Sequence, residues 1–196
     1  MVAIREALRL RPGEAAPRGG FLLGCSEERY RFLVEAADVL VLELGGALAG
    51  FAIALPDRVL RSGELWARRD RIHWQAGEAE PPPHEPVAYF DQLAVAPEAA
   101  RLYAPMLALA ALRAIADTGH RHLYATTLRA PLHNPASLAL IGSVGGRIVG
   151  EVPEYYEEAG VVVSDLHHVR LPDGLAAALS TTPGPRAAAS ALRLAA

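Results

Sequence analysis

Residues 87–107 read VAYFDQLAVAPEAARLYAPML. The first nine are mostly apolar and include the Val, Tyr and Phe that suit a pleated, half-buried surface, which predicts a strand over 87–95. A Pro-Glu turn ends it. The Ala- and Leu-rich stretch beyond predicts a helix over 105–118, apolar nearly all round and therefore buried on a sheet, with Gly119 in the C-cap position. Strand, loop and helix in this order form a layout on which many folds hold a phosphate, because amides at a helix start can donate to an anion. Glycines would let those amides approach closely, yet Arg101, Leu102, Tyr103, Ala104 and Pro105 stand there instead.

Upstream, VLVLELGGALAGFAIAL (39–55) is two apolar runs joined at Gly45-Gly46, a pair suited to positive φ, and reads as a hairpin of central strands buried on both faces. SEERYRFLVEAAD predicts an amphipathic helix with Ser26 as N-cap, Glu27 and Glu28 at its positive end, and an apolar stripe of Tyr30, Leu33, Val34 and Ala37. Residues 2–8 fit a strand or a short helix equally. Residues 56–86 are an insertion with a short helix around ELWARRDRIHW and a stiff Pro81–Pro83 end. Downstream come a strand over 120–128, a helix over 135–144, and the strands GGRIVGEV and AGVVVSDLHHVRL. The order predicts a mixed α/β domain on one sheet over residues 1–172. Residues 173–196, rich in Ala and Pro, are a low-complexity tail that reads as a short helix or disorder and carries no chemistry.

The 196 residues, 52% hydrophobic, suffice for one core. A net charge of -3 argues against wrapping a nucleic acid, which requires neutralising many phosphates. The single cysteine, Cys25, rules out an internal disulfide and a Cys-rich metal cage, and fits a reducing cytoplasm. No apolar run reaches the roughly 20 residues that span a bilayer. GxSxG, GxxxxGK[ST], HExxH and GxGxxG are all missing, so hydrolase, ATPase, zincin and dinucleotide-binding readings lack their residues.

Taken together, YFDQLAVAPE, the buried helix, HLYATTL and NPASLALIGSVGGRIVGEV resemble the core of a GNAT-type N-acetyltransferase, and Gly50, Phe51 and Ala52 match the family's third strand. The likeness covers about residues 3–170. It implies a single, mostly antiparallel sheet flanked by helices. It also implies acetyl-CoA as acyl donor, transfer to a primary amine of a small-molecule acceptor, and a homodimer as the common assembly. In the family the fourth and fifth strands splay, and the pantetheine arm lies between them against backbone groups like those of Leu93 and Val95. A backbone N–H near Val95 would polarise the thioester carbonyl. Arg101, Ala104 and Met106 fall in the pyrophosphate loop, and Asn134 and Ser137 on the NxxSxxL segment. Three departures stand out: the loop has lost its glycines, Ile141 replaces the tyrosine that protonates the leaving thiolate, and Gly146 replaces an aromatic. They keep open a second reading, a noncatalytic binding or assembly module on the same fold.

Asp91 is the candidate base for the acceptor ammonium, since a carboxylate in the splay is partly desolvated and its pKa rises; the alternative is a side chain paired with arginine or facing solvent. On a regular strand Tyr89 shares its face, and Gln92 does not. Tyr124 and His133 are candidate donors to the thiolate. Asn134 is also suited to N-cap the next helix, with Pro135 in the first turn. Arg101 is either a side-chain charge for the phosphates or a solvated helix-terminal residue. Trp66, Arg68, Arg69, Arg71, His73 and Trp74 either border the acceptor site, selecting an acidic or aromatic acceptor, or form an amphipathic helix with hydrated arginines. His120 and His122 lie two apart on the expected strand, but no third ligand is spaced to complete a metal site, and none is assigned.

Overall fold

A computed structural model describes residues 1–10, 19–22, 25–157, 159–181 and 192–194, with the backbone alone at 100, 101, 177–181 and 192–194. In chain order the elements are α1 (Val2–Ala7), α2 (Glu27–Ala36), β1 (Asp38–Leu44), β2 (Ala47–Leu55), α3 (Asp57–Ser62), α4 (Glu64–Ala67), a 3-10 turn (Arg69–Arg71), β3 (His73–Trp74), β4 (Val87–Val95), α5 (Ala100–Asp117), β5 (His122–Ala130), α6 (Pro135–Ser143), β6 (Arg147–Tyr156), β7 (Gly160–Arg170), α7 (Leu171–Thr181) and β8 (Leu192–Leu194). The strands form one sheet in the order β3-β6-β7-β5-β4-β2-β1-β8. Among them only β4 and β5 pair in parallel.

The β1–β2 hairpin turns at Gly45 and Gly46, with φ of 58° and 82°, the positive pair that a two-residue turn requires. β2 lies in the middle of the sheet, whereas β1 sits near an edge with only the three-residue β8 outside it. Helices cover both faces. On one, Tyr30 and Leu33 of α2 and Val59 and Leu60 of α3 pack on Phe51, Ile53, Leu55, Val87 and Tyr89. On the other, Leu112 and Ile115 of α5 and Leu171 of α7 close over Ala54, Ala88, Leu123 and Val169.

Several expectations shift. Ser26 does cap α2, its Oγ accepting from the Arg29 N–H at 3.1 Å, but the apolar stripe is narrower than expected because Val34 is exposed. Helix α5 begins at Ala100, not 105: the N–H groups of Leu102 and Tyr103 already donate to the Ala99 carbonyl at 3.2 and 3.1 Å. Pro105 therefore sits in the second turn. Ala99 carries no side-chain cap; it is buried among Leu40, Leu42, Val95 and Leu107, so packing rather than capping sets the helix start. β5 begins at His122, leaving His120 in the preceding loop, where its Nε2 accepts from the Asp57 N–H.

The boundary expected at 172/173 falls inside α7. Leu171 is fully buried, and a Cβ at Gly174 would stand 2.6 Å from the Val144 carbonyl oxygen, so this helix lies tight against the loop after α6. No described helix is long and apolar enough to cross a membrane.

On β2, a Cβ at Gly50 would come within 2.9 Å of the Ala94 carbonyl oxygen of β4. Gly50→Val should lower unfolding free energy by about 1–3 kcal/mol, read by chemical denaturation, and a variant of unchanged stability would show that β2 yields freely.

Candidate active site

Parallel pairing of β4 with β5 lasts four residues, from Val87↔His122 to Phe90↔Ala125. Beyond that point β4 stays on β2 as far as Val95↔Gly50, and β5 stays on β7 as far as Ala130↔Val163. The two strands part, and the gap opens into a cleft of about 1410 Å³. At the parting point Ala54 opposes Phe90 and Ile53 opposes Gln92, which makes Asp91 the extra residue of a β-bulge. The bulge breaks the two-residue alternation. Gln92 consequently shares a face with Tyr89, contrary to a regular strand, and reaches the Tyr30 side of the sheet.

The β4 wall presents backbone as well as side chains. The Ala96 N–H donates to the Ala49 carbonyl of the neighbouring hairpin strand at 2.8 Å. Amides alternate in direction along a strand, so those of Val95 and Leu93 turn away from β2 and toward the cleft. Across the gap lie Ala125, Thr126, Thr127 and Leu128 of β5, with Ala104 and Pro105 of α5 at one end and Asn134, Ser137 and Ile141 around α6.

Three helical or strand elements meet at Gln92. Its Oε1 accepts from Arg5 Nη1 at 2.6 Å and from the Tyr30 hydroxyl at 2.9 Å, and its Nε2 donates to Asp91 Oδ2 at 2.9 Å. Burial raises the Asp91 pKa above the usual carboxylate value; the Gln92 hydrogen bond and the charges of Arg29 and Arg5 oppose this without cancelling it. Near Asp91 the Tyr89 hydroxyl bonds Thr126 Oγ1 at 2.6 Å. Burial raises its pKa, and the nearby charges of Asp91 and Glu154 add to the rise.

Glu154 and Tyr156 complete this part of the cleft. Glu154 pairs with Arg68 at 2.9 Å and accepts from the Tyr156 hydroxyl at 2.8 Å. Burial first, then the Glu154 charge, pushes the Tyr156 pKa up to about 12. Neither residue was a sequence candidate, because the strand expected there, GGRIVGEV, stops at Val152. Past Gly150 and Glu151, however, β3 no longer covers β6, and an open edge tolerates a proline.

The other expected site residues divide. Leu93, Val95, Ala104, Asn134 and Ser137 all line the cleft. Asn134 is an N-cap, its Oδ1 accepting from the Ser137 N–H at 3.1 Å. Met106 is buried, and Ala104 keeps a negative φ as it must without a glycine. The Arg101 side chain lies outside the described residues. Tyr124 faces a smaller cavity rather than the main cleft, with its ring stacked on His168 at 4.9 Å and its hydroxyl pushed to about 12 by burial. His168 in turn bonds His122, 2.9 Å between ring nitrogens, and burial with that neighbour holds its pKa down to about 4. Among the described residues no three His, Cys, Asp or Glu side chains group to hold a metal ion. Two arginines of the 64–74 segment are engaged, Arg68 by Glu154 and Arg69 by Glu80 at 2.6 Å. A Cβ at Gly146 would stand 2.8 Å from the Ile141 carbonyl oxygen, which explains why no aromatic follows Gly145.

The chain has the fold of GNAT-type N-acetyltransferases. Among solved structures it resembles ribosomal-protein-alanine N-acetyltransferase from Brucella melitensis, with a TM-score of 0.55 and 19% identity over 86% of this chain and 91% of that one. The ribosomal-protein-S18-alanine N-acetyltransferase from Escherichia coli gives a TM-score of 0.54 and 18% identity over 76% and 79% of the two chains. A chain of the NatC complex bound to Gag peptide and CoA gives 0.53 and 13% over 86% and 88%. No protein-family model matches the chain, and no curated protein matches it.

The raised Asp91 pKa has a consequence for stability. Below the ordinary carboxylate pKa both folded and unfolded chains hold the proton; between that value and the raised one only the folded chain does, so stability falls as pH rises through the window and stays reduced above it. Asp91→Asn should therefore melt at a higher temperature than the parent at pH 7 and lose the advantage in acid. A lower melting point at pH 7 would show that Asp91 is a net stabilising anion.

Proposed function

We propose that this protein is an N-acyltransferase that moves an acetyl group from acetyl-CoA to the primary amine of a small acceptor. The observation that carries the reading is the gap between β4 and β5 with the amides of Leu93 and Val95 turned into it. That wall matches a pantetheine arm, whose amides can pair with β4 much as an added strand would. Asn134 and Ser137 border the same arm, and Ala104, with Arg101 and Met106 nearby in α5, lies toward the phosphates.

Acetyl-CoA supplies an acetyl group on a thioester: a C–N bond forms to the acceptor as the C–S bond breaks. The chain's own residues prepare that exchange. The Val95 N–H donates to the carbonyl oxygen as charge develops on it, an interaction worth roughly 3–4 kcal/mol in a preorganised site. Asp91, held by Gln92, takes the proton from the acceptor ammonium, and its raised pKa brings it nearer the working range of a base. Ile141 lines the cleft and has no proton to give, so the leaving thiolate takes the second proton that the attacking nitrogen loses as the C–N bond forms.

One observation favours a second reading, a noncatalytic binding module. The amides of Leu102 and Tyr103, which a glycine loop would offer to a pyrophosphate, are spent on the Ala99 carbonyl. Calorimetric titration with acetyl-CoA, with CoA for comparison, separates the two. Saturable one-to-one binding near micromolar, about -8 kcal/mol, supports the enzyme; no heat at millimolar ligand supports the module. In the enzyme, Asp91→Asn should cut turnover at neutral pH by roughly a hundredfold with CoA affinity unchanged, and the parent's rate should rise with pH as Asp91 loses its proton. Full activity in that variant would exclude Asp91 as the base.

A further inference from the structure

Beneath the 56–86 insertion lies a second cavity of about 60 Å³, walled by Leu65, Trp66, Trp74, Tyr124, Val152 and Leu166. Its lining is almost wholly apolar, and it adjoins the main cleft: Leu60, Leu65, Arg68, Tyr89, Thr126 and Glu154 border both. Arg68, Thr126 and Glu154 stand where the two spaces meet; the other charged residues of the small cavity, Arg69 and Glu80, are paired with each other, and the rest of its wall is hydrocarbon and aromatic ring. Trp74 and Tyr124 meet edge to face at 6.5 Å, and Arg61 lies 4.4 Å over the Trp66 ring.

Resting on the acetyltransferase reading, we infer that this cavity receives the short, branched aliphatic group of the acceptor amine, while Glu154 at the junction holds its ammonium. Three features select that ligand. Size is the first: the space exceeds the 10–15 Å³ or so that one water needs but falls well short of the ~150 Å³ that holds a benzene ring. Lining is the second, since the charged side chains away from the junction, Arg69 and Glu80, already hold each other, and a hydroxyl or second amine among the apolar side chains would lose its hydration. Charge is the third. The two arginines that line the cavity, Arg68 and Arg69, are already paired with Glu154 and Glu80 and so are taken from an acidic acceptor, whereas Glu154 can exchange a guanidinium for an ammonium. From the junction the amine nitrogen is directed into the main cleft, which the Tyr89–Thr126 pair and Asp91, the proposed base, also line.

The chain contains two tryptophans, Trp66 and Trp74, and both line this cavity, so intrinsic fluorescence reads it directly. The full chain would be titrated at neutral pH with isoamylamine, ethanolamine and phenethylamine, with and without CoA. Isoamylamine should give a saturable change, and the other two should bind at least roughly tenfold more weakly. Val152→Phe, or Leu65→Phe from the half-exposed α4 should the first variant not fold, should abolish the isoamylamine response and leave the heat of acetyl-CoA binding unchanged. No saturable response, an equal response to ethanolamine, or a response that survives in a folded filled variant overturns the inference. Acetyl-CoA binding without an amine response sinks the cavity assignment and spares the acetyltransferase reading. An isoamylamine response that meets these criteria without acetyl-CoA binding does the reverse, and establishes an alkylamine site.

Discussion

The architecture depends on a pairing that stops. β4 and β5 share four residues of parallel ladder and then separate, although both continue for several residues more. Each backbone amide or carbonyl that turns into the gap forgoes a strand partner, and leaving such a group unmatched away from water costs about 1–3 kcal/mol. The sheet holds the gap open because each strand is fastened on its other side: β4 lies close to β2 across Gly50, and β5 follows β7 to its end. The bulge at Asp91 sits at the branch point and re-aims the chain there. A ligand with amides of its own can satisfy the unpaired wall without rearranging the sheet.

The same bulge organises the charges. With Asp91 displaced, Gln92 turns to the face covered by α1 and α2, where its carbonyl oxygen takes two donors and its amide serves the carboxylate. Only one amide orientation satisfies all three bonds, so the side chain is fixed by its partners. Arg5 adds a second restraint by stacking 4.3 Å over the Phe21 ring. Asp91 is therefore both desolvated and held, two properties that a base needs and that a carboxylate on a loop would lack.

Much of this could be read in the sequence, and the failures have physical causes. The hairpin and β4 were legible because long apolar runs bounded by Gly-Gly or Pro-Glu admit few other readings. The bulge left no trace: one extra residue changes neither composition nor hydrophobicity, only the register against β2. The start of α5 was misplaced because Ala99 offers no capping side chain and is held by burial alone. Glu154 and Tyr156 escaped notice because they lie beyond GGRIVGEV, the expected strand, which in fact continues through Pro153 on an uncovered edge. Tyr124 was correctly set on a strand beside the splay, but it lies on the paired part of that strand, before Ala125, where its ring faces the insertion.

Winding residues 100–104 into α5 alters how an anion can be held. A glycine loop offers several converging amides, each a short, directional bond. In this chain two of those amides close the first helical turn, and the helix presents its positive end instead, an attraction of typically 0.3–1 kcal/mol that salt screens readily. The strand wall has no such weakness, since bonds from the Leu93 and Val95 amides are local and lie inside the cleft. On the proposed reading, affinity for acetyl-CoA would then come chiefly from the part lying along β4, so shortening its phosphate end should matter less than disturbing the bulge that opens the wall.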